Sequence, residues 1–369
     1  LQPHHLFYKM CRKIGTKVLM LNHANWKTLC YISQERHKID FFNKDELNES
    51  PKMNVTNLIQ LFEESRVSNF HTKFHKTIKK SKTSLIAAAL KFILSSNNSK
   101  THYTYFGRSK LKVIRKEIED VIKKNRRKKF IDANLVQEIK NNEKFIYLPL
   151  HQEPERSLLI AAPKFSDQLR TVEEISKVLP DNYRLYVKEH PTQGPARNWR
   201  EIKFYERILE LKNVKLIHPN FDSKFLFKNC ELVVSVGGTS SFEAMFFGKP
   251  SLIFADLGYA SIPSISKLDS YSELKQGVME CLKIQVEPRF VLKYLEILDE
   301  NSFDFDILGF ETAYQNQFYM NGNLVDIEFN QSDFKEFLHE HETELDSVAK
   351  EFNKKIEQFK LIRTNEATD

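Results

Sequence analysis

The sequence predicts an α/β fold, a Rossmann-like, doubly wound parallel sheet over residues 144–300. Three observations carry this. From Lys144 onward, short apolar runs alternate with segments of helical spacing. Each run stops abruptly at polar residues or glycine, and a helix then opens. The intervals suit parallel strands joined by right-handed helical crossovers.

Taken in order, Phe145–Leu150 reads as the first buried strand of this sheet and Asp167–Leu179 as a helix that Pro180 ends. Arg184–Lys188 is the second strand, followed by a helix over Trp199–Leu211. Val214–Ile217 is the third, with a short helix over Ser223–Asn229. Glu231–Ser235 is the fourth, with a helix over Ser240–Phe247, and Lys249–Phe254 is the fifth. Helices over Ser270–Ile284 and Pro288–Leu298 complete the domain.

Residues 1–143 read as a separate, mostly helical segment. Helices are expected over Phe7–Ile14, Asn54–Glu64, Ser84–Leu94 and Leu111–Lys124, and short strands at Lys17–Leu21 and Tyr31–Ser33. That is too few strands for a complete Rossmann domain, so a partial domain is expected. Residues 301–369 form a third segment. It is aromatic and irregular over 301–326 and closes in one amphipathic helix from Gln331 to about Phe359.

Composition bounds the function. The chain has 369 residues, 41% hydrophobic and 28% charged, with no apolar run long enough to span a bilayer. Leu1-Gln-Pro-His-His carries no signal-peptide pattern. Four scattered cysteines without a CxxC pair fit a reducing, cytoplasmic setting and speak against a cysteine-based zinc site. The net charge of +7 divides unevenly: residues 1–144 carry 30 Lys/Arg against 13 Asp/Glu, and residues 145–369 carry 26 against 36. An uneven charge of this kind suggests two functional faces rather than a nucleic-acid surface. The densest basic run is Lys123–Lys129, with Lys73, Lys76, Lys79, Lys80 and Lys82 upstream. It reads either as a solvated helix end or linker, or as a contact with an anionic membrane surface or polyanionic acceptor.

In a parallel sheet the strand ends gather along one edge, where ligands bind. Here they supply His151-Gln-Glu-Pro-Glu-Arg156, Glu189-His-Pro-Thr192, His218-Pro-Asn220, Gly237-Gly-Thr-Ser-Ser241 and Asp256-Leu-Gly-Tyr259. Turn chemistry explains the Gly, Pro, Asn and Asp, but not a histidine after three successive strands. Gly237–Ser241 precedes a helix start, whose exposed N–H groups and positive dipole end favour an anion. The alternative for Ser240 and Glu243 is an ordinary capping box. No HExxH, GxSxG or P-loop spacing is present, so neither a zinc site nor a serine nucleophile is expected. His71, His75, His339 and His341 lie in polar surroundings and read as surface residues.

Tyr147-Leu-Pro-Leu-His-Gln-Glu-Pro-Glu155, Phe165-Ser-Asp-Gln168, Leu185-Tyr-Val-Lys-Glu-His-Pro191, Gly237-Gly-Thr-Ser-Ser-Phe-Glu-Ala244 and Gly248-Lys-Pro250 together resemble the capsular polysaccharide biosynthesis family. That family is similar to GT-B glycosyltransferases, including Kdo transferases of capsule assembly and His-Pro-motif enzymes. The resemblance covers about residues 145–260 and implies two facing Rossmann-like domains, the C-terminal one binding a CMP- or UDP-linked sugar. It implies that His190 and Pro191 meet the donor phosphate, that Gly237, Gly238, Thr239, Ser240 and Ser241 cradle it, and that Glu243 holds the ribose. It places His151 and Glu155 at the cleft, with Glu155 a candidate either for proton transfer or for positioning. It further implies inverting transfer without a metal or other cofactor. The acceptor would be an oligosaccharide or lipid-linked glycan, and the protein would be cytoplasmic or peripheral at the inner face of the membrane. Alternatives are a UDP-sugar 2-epimerase, a polyol-phosphate transferase, or a non-catalytic partner subunit that keeps the donor domain.

Overall fold

In a computed structural model, the structure describes residues 2–40, 42–53, 55, 57–65, 82–94, 109–139, 143–324 and 327–366. His71, His75, Lys73, Lys76, Lys79 and Lys80 lie outside the described residues. The chain divides into two compact units, Leu1–Phe41 with Lys79–Glu117 and Leu298–Asp369, and Phe42–Ile78 with Ile118–Ile297. The units interleave, unlike the three consecutive segments the sequence suggests.

Among the described residues the strands are β1 (Met20–His23), β2 (Leu29–Ser33), β3 (Lys144–Pro149), β4 (Tyr183–Lys188), β5 (Val214–Ile217), β6 (Leu232–Ser235), β7 (Ser251–Ile253), β8 (Ile265–Lys267) and β9 (Phe303–Asp304). In the first unit, β1, β2 and β9 form an antiparallel sheet. β9 pairs with β2 across more than 270 residues of chain, with Cys30 opposite Phe303, and the buried Cys30 thiol donates to the Phe305 carbonyl at 3.4 Å. This pairing brings the chain's last segment into the same unit as its first.

The segment 301–326, expected to be irregular, instead contains β9 and a helix over Ile307–Phe318. Asp306 caps that helix by accepting the Gly309 N–H at 3.0 Å. Phe310, Tyr314 and Phe318 recur at intervals of four and pack on Phe337. The aromatic run is thus one face of a helix. The expected single C-terminal helix is also two, Gln331–Glu340 and Glu342–Glu366, broken at His341. His341 stacks on Phe337 and lies 2.9 Å from Glu344, while His339 stays exposed.

The second unit holds a six-stranded parallel sheet in the order β5-β4-β3-β6-β7-β8. The five expected strands are present. β8 was not anticipated, because three residues after a proline leave no periodic signal. Strand centres such as Ile146, Leu185, Val187, Val233 and Leu252 are fully or almost fully buried, as strands covered on both faces must be. The helix Gln168–Val178 places Val172 and Ile175 on this core, and Asp167 caps it through the Arg170 N–H at 3.0 Å.

The helix expected over Leu111–Lys124 runs from Lys110 to Asn134. Its continuation is explained by Ile131 and Leu135, both buried, and by Val136, which pairs beside β5. The basic run Lys123–Lys129 therefore lies inside a helix, not at its end or in a linker. Lys124 donates to the Pro195 carbonyl at 3.2 Å, Arg127 to the Asn198 and Trp199 carbonyls, and Lys128 pairs with Asp132. The helix expected over Trp199–Leu211 shortens to Ile202–Leu209, since Asn198 and Trp199 both adopt left-handed backbone. No described helix is long and apolar enough to cross a membrane.

Along the sheet, chain order runs outward in both directions from β3 and β6. The strand order therefore reverses between them, and in parallel sheets ligands bind at the strands' carboxyl ends beside such a reversal.

Candidate functional site at the sheet's switch point

His151 and Gly237 follow β3 and β6, on either side of that reversal. The structure joins them directly. The Gly237 N–H donates to His151 Nε2 at 3.2 Å, Ser235 Oγ lies 3.2 Å from the same nitrogen, and His151 Nδ1 lies 3.2 Å from Glu155 Oε2. A backbone N–H can only donate, so Nε2 accepts and the ring proton sits on Nδ1, toward Glu155. Both ring nitrogens are thereby engaged within the protein. As arranged, His151 orients Glu155 and the Gly237–Gly238 turn. Glu155 is the more accessible partner, its side chain 35% exposed.

The two glycines are needed for space. A Cβ on Gly237 would lie 2.4 Å from Ala255 Cβ, and one on Gly238 would lie 2.9 Å from His151 Cε1. The Tyr259 hydroxyl donates to the Gly238 carbonyl and fixes the turn. Gly238 is also the N-cap of the helix Thr239–Phe246, and no side chain caps that helix. The alternative reading of Ser240 and Glu243 as a capping box is therefore not met: Ser240 lies within the helix. Gly238, Thr239 and Ser240 are half-buried and reachable from solvent, while Ser241 and Glu243 are buried. Ser241 Oγ has no hydrogen-bond partner, and its carbonyl accepts from Ser251.

Glu243 lies in the field of Lys188, Tyr147 and Tyr259. Lys188, also buried, donates to Ser223 Oγ at 2.7 Å. Burial pulls its pKa down to about 8, against the opposing pull of Asp222 and Glu243.

His190 follows β4. Its Nδ1 accepts from the Thr192 N–H at 3.2 Å and lies 2.7 Å from Thr192 Oγ1, which closes the His-Pro turn on itself. His190 and Pro191 are both half-buried. His218, the third histidine of the edge, turns to Asp132 at 3.2 Å and accepts from the Asn220 N–H. It anchors the end of the helix Lys110–Asn134 beside β5. The three histidines thus divide into two at the candidate site and one that ties a helix to the sheet.

A buried network that the sequence reading missed links the β3 and β4 loops. Glu189 is fully buried, and its carboxylate accepts from Arg200 Nε at 2.8 Å, the Tyr205 hydroxyl at 2.8 Å and the His190 N–H at 2.5 Å. Arg200 also donates to the His151 carbonyl, and its Nη1 lies 2.7 Å from Glu153. Opposing this, Gln168 Oε1 accepts the His151 N–H at 2.6 Å, and Gln193 Oε1 accepts the Glu153 N–H at 2.8 Å. Both backbone groups of His151 are therefore held by side chains from other elements. A usable signal was present in the sequence. A glutamate directly after an apolar strand must find a cation if it is buried, and Arg200 stands eleven residues on.

Among the described residues, no three His, Cys, Asp or Glu side chains gather as a group that could hold a metal. The site offers an anion N–H groups at an open helix start, flanked by the His151 and His190 loops.

Residues 48–266 match the family model described as capsule polysaccharide biosynthesis protein. The chain belongs to this family. No curated protein sequence matches it. Among solved structures it is similar to the UDP-GlcNAc 2-epimerase of Methanocaldococcus jannaschii in complex with UDP-GlcNAc and UDP, at 15% identity over 47% of this chain and 48% of that one, TM-score 0.29. It is also similar to the UDP-GlcNAc 2-epimerase of Neisseria meningitidis bound to UDP-GlcNAc, at 18% identity over 42% and 40%, TM-score 0.30. A third is the β-Kdo 2,7 transferase KpsC of Thermosulfurimonas dismutans, at 16% identity over 60% and 70%, TM-score 0.29. The chain spans about half the length of the first of these structures.

Proposed function

We propose that the protein is a glycosyltransferase of surface-polysaccharide assembly and that the β3–β6 switch point binds the phosphate of its nucleotide-sugar donor. The observation that carries this reading is the helix start at Thr239, uncapped by any side chain and packed through Gly237 and Gly238 against His151. Family membership supplies the biosynthetic setting. In this reading the backbone N–H groups of Gly238, Thr239 and Ser240 meet the phosphate, and His190 with Pro191 borders it. Ser241 and Glu243 support the cradle from inside rather than touching the donor. Glu155, oriented by His151, is the carboxylate placed for proton transfer. The acceptor is an oligosaccharide or lipid-linked glycan, and transfer is inverting and metal-independent, with the helix start offsetting the leaving phosphate's charge.

The test is incubation with CMP-, UDP- and GDP-linked sugars and a lipid-linked or oligosaccharide acceptor. Sugar joined to acceptor with release of the nucleotide supports transfer. Conversion of the donor to its epimer, or no turnover of any donor by the full-length protein, contradicts it.

The basic helix adds a proposal about location, at the inner face of an anionic membrane. Lys124, Arg127 and Lys128 have partners within the fold, which leaves Lys123, Arg126 and Lys129 exposed. Each basic residue near such a surface adds about 1 kcal/mol. Replacing those three by glutamine should lower co-sedimentation with anionic vesicles at low salt; undiminished co-sedimentation rejects the contact.

A further inference from the structure

Four arginines around the parallel sheet are matched by anions or carbonyls. Arg200 lies on Glu189 and Glu153, Arg207 on Glu173 at 2.9 Å and Arg184 near Glu143 at 3.7 Å, and Arg127 donates to two carbonyls. Arg156 differs. Its Nε is shielded from solvent and has no hydrogen-bond partner, and among the described residues no carboxylate forms an ion pair with it. Burial lowers its pKa with nothing raising it again, whereas the partners of Arg200 raise that residue's. Arg156 is half-buried, and its shielded Nε forgoes a hydrogen bond that a bound anion would supply.

Its position says what would pair with it. Arg156 closes the β3 loop, directly after the Glu155 that binds His151. This loop and the Gly237–Gly238 turn follow adjacent strands on either side of the switch point. The helix start at Thr239 offers N–H groups but no full positive charge. A guanidinium complements it, since its planar fork donates to two phosphate oxygens and it remains charged at any working pH.

We propose that Arg156 is an anion-binding residue of the switch-point site, whose counter-ion is the phosphate of a bound nucleotide. This rests on the nucleotide-sugar reading above and extends it to a named cation. The same charge would stabilise the nucleotide phosphate as the glycosidic bond breaks and the phosphate departs with the bonding electron pair.

The test is titration calorimetry of the full chain with CMP, UDP and GDP and with the uncharged nucleosides cytidine, uridine and guanosine, on the unaltered protein, Arg156→Lys and Arg156→Gln. Melting is followed in parallel without ligand. Arg156→Gln should weaken nucleotide binding about tenfold or more and leave nucleoside binding unchanged, with Arg156→Lys between. Its melting temperature without ligand should not fall, because no ion pair among the described residues is lost with it. Undiminished nucleotide affinity in Arg156→Gln overturns this inference alone. A clear drop in its melting temperature assigns Arg156 a structural role and likewise overturns it. No nucleotide binding by the unaltered protein overturns the donor-site reading and this inference together.

Discussion

Glu189→Ala should destabilise the parallel-sheet unit by about 3–5 kcal/mol, because it leaves the buried Arg200 without its principal partner. For a unit of this size that corresponds to a melting temperature lower by about 10 °C. Glu189→Gln should cost less, since it still accepts from the Tyr205 hydroxyl and the His190 N–H. The double variant Glu189→Met/Arg200→Met separates stability from positioning. Apolar replacement of a whole buried pair is often tolerated, so much of the stability should return. Nucleotide binding should stay impaired, because the His151 carbonyl has lost the Arg200 donor and the His190 N–H has lost its acceptor. Thermal unfolding beside calorimetry reads both quantities. A loss below about 1 kcal/mol for Glu189→Ala, the value of an exposed ion pair, would show that the network does not bear on the fold.

The second large effect is expected at Gly238. Gly238→Val would bring a Cβ to 2.9 Å from the His151 ring, with two methyl groups beyond it. The ring must move, and both the Gly237 N–H contact and the Glu155 contact depend on its place. A displacement of about 1 Å in a binding constellation can lower activity about 100-fold, and a loss of that order in nucleotide affinity and transfer is expected. Gly248→Ala is the control. Gly248 has a φ of +68° with nothing within 4 Å of its would-be Cβ, so alanine there strains only the backbone. Its stability should fall by about 1 kcal/mol with the site unaffected. Equal loss of binding in both variants would mean that the Gly238–His151 contact has no special role.

These contacts also mark how far the sequence could be read. The parallel sheet was legible because each of its longer strands is a continuous apolar run ended by turn residues, which is local information. The site edge was legible for the same reason, since parallel strands collect their carboxyl ends whatever the detailed packing. What escaped depends on distant partners. β9 is two residues long and exists because β2 offers an edge more than 270 residues earlier. His218 stands at a strand end as the other two histidines do, but Asp132, 86 residues upstream, holds it. Ser240 and Glu243 satisfy the capping-box spacing, yet the N-cap is Gly238, two residues earlier, where only glycine fits against His151. The Lys123–Lys129 run reads as uniform charge, but the fold uses three of its members to hold carbonyls and Asp132. In each case the residue type was visible and its partner was not.

The central claim is that this edge binds a nucleotide phosphate. It is tested most directly by calorimetric titration of the unaltered protein and of His190→Ala with CMP, UDP and GDP. Saturable binding of at least one nucleotide by the unaltered protein, weakened in His190→Ala without loss of folded structure, is the predicted result. Absence of binding to all three, or identical affinity in the two proteins, would contradict it.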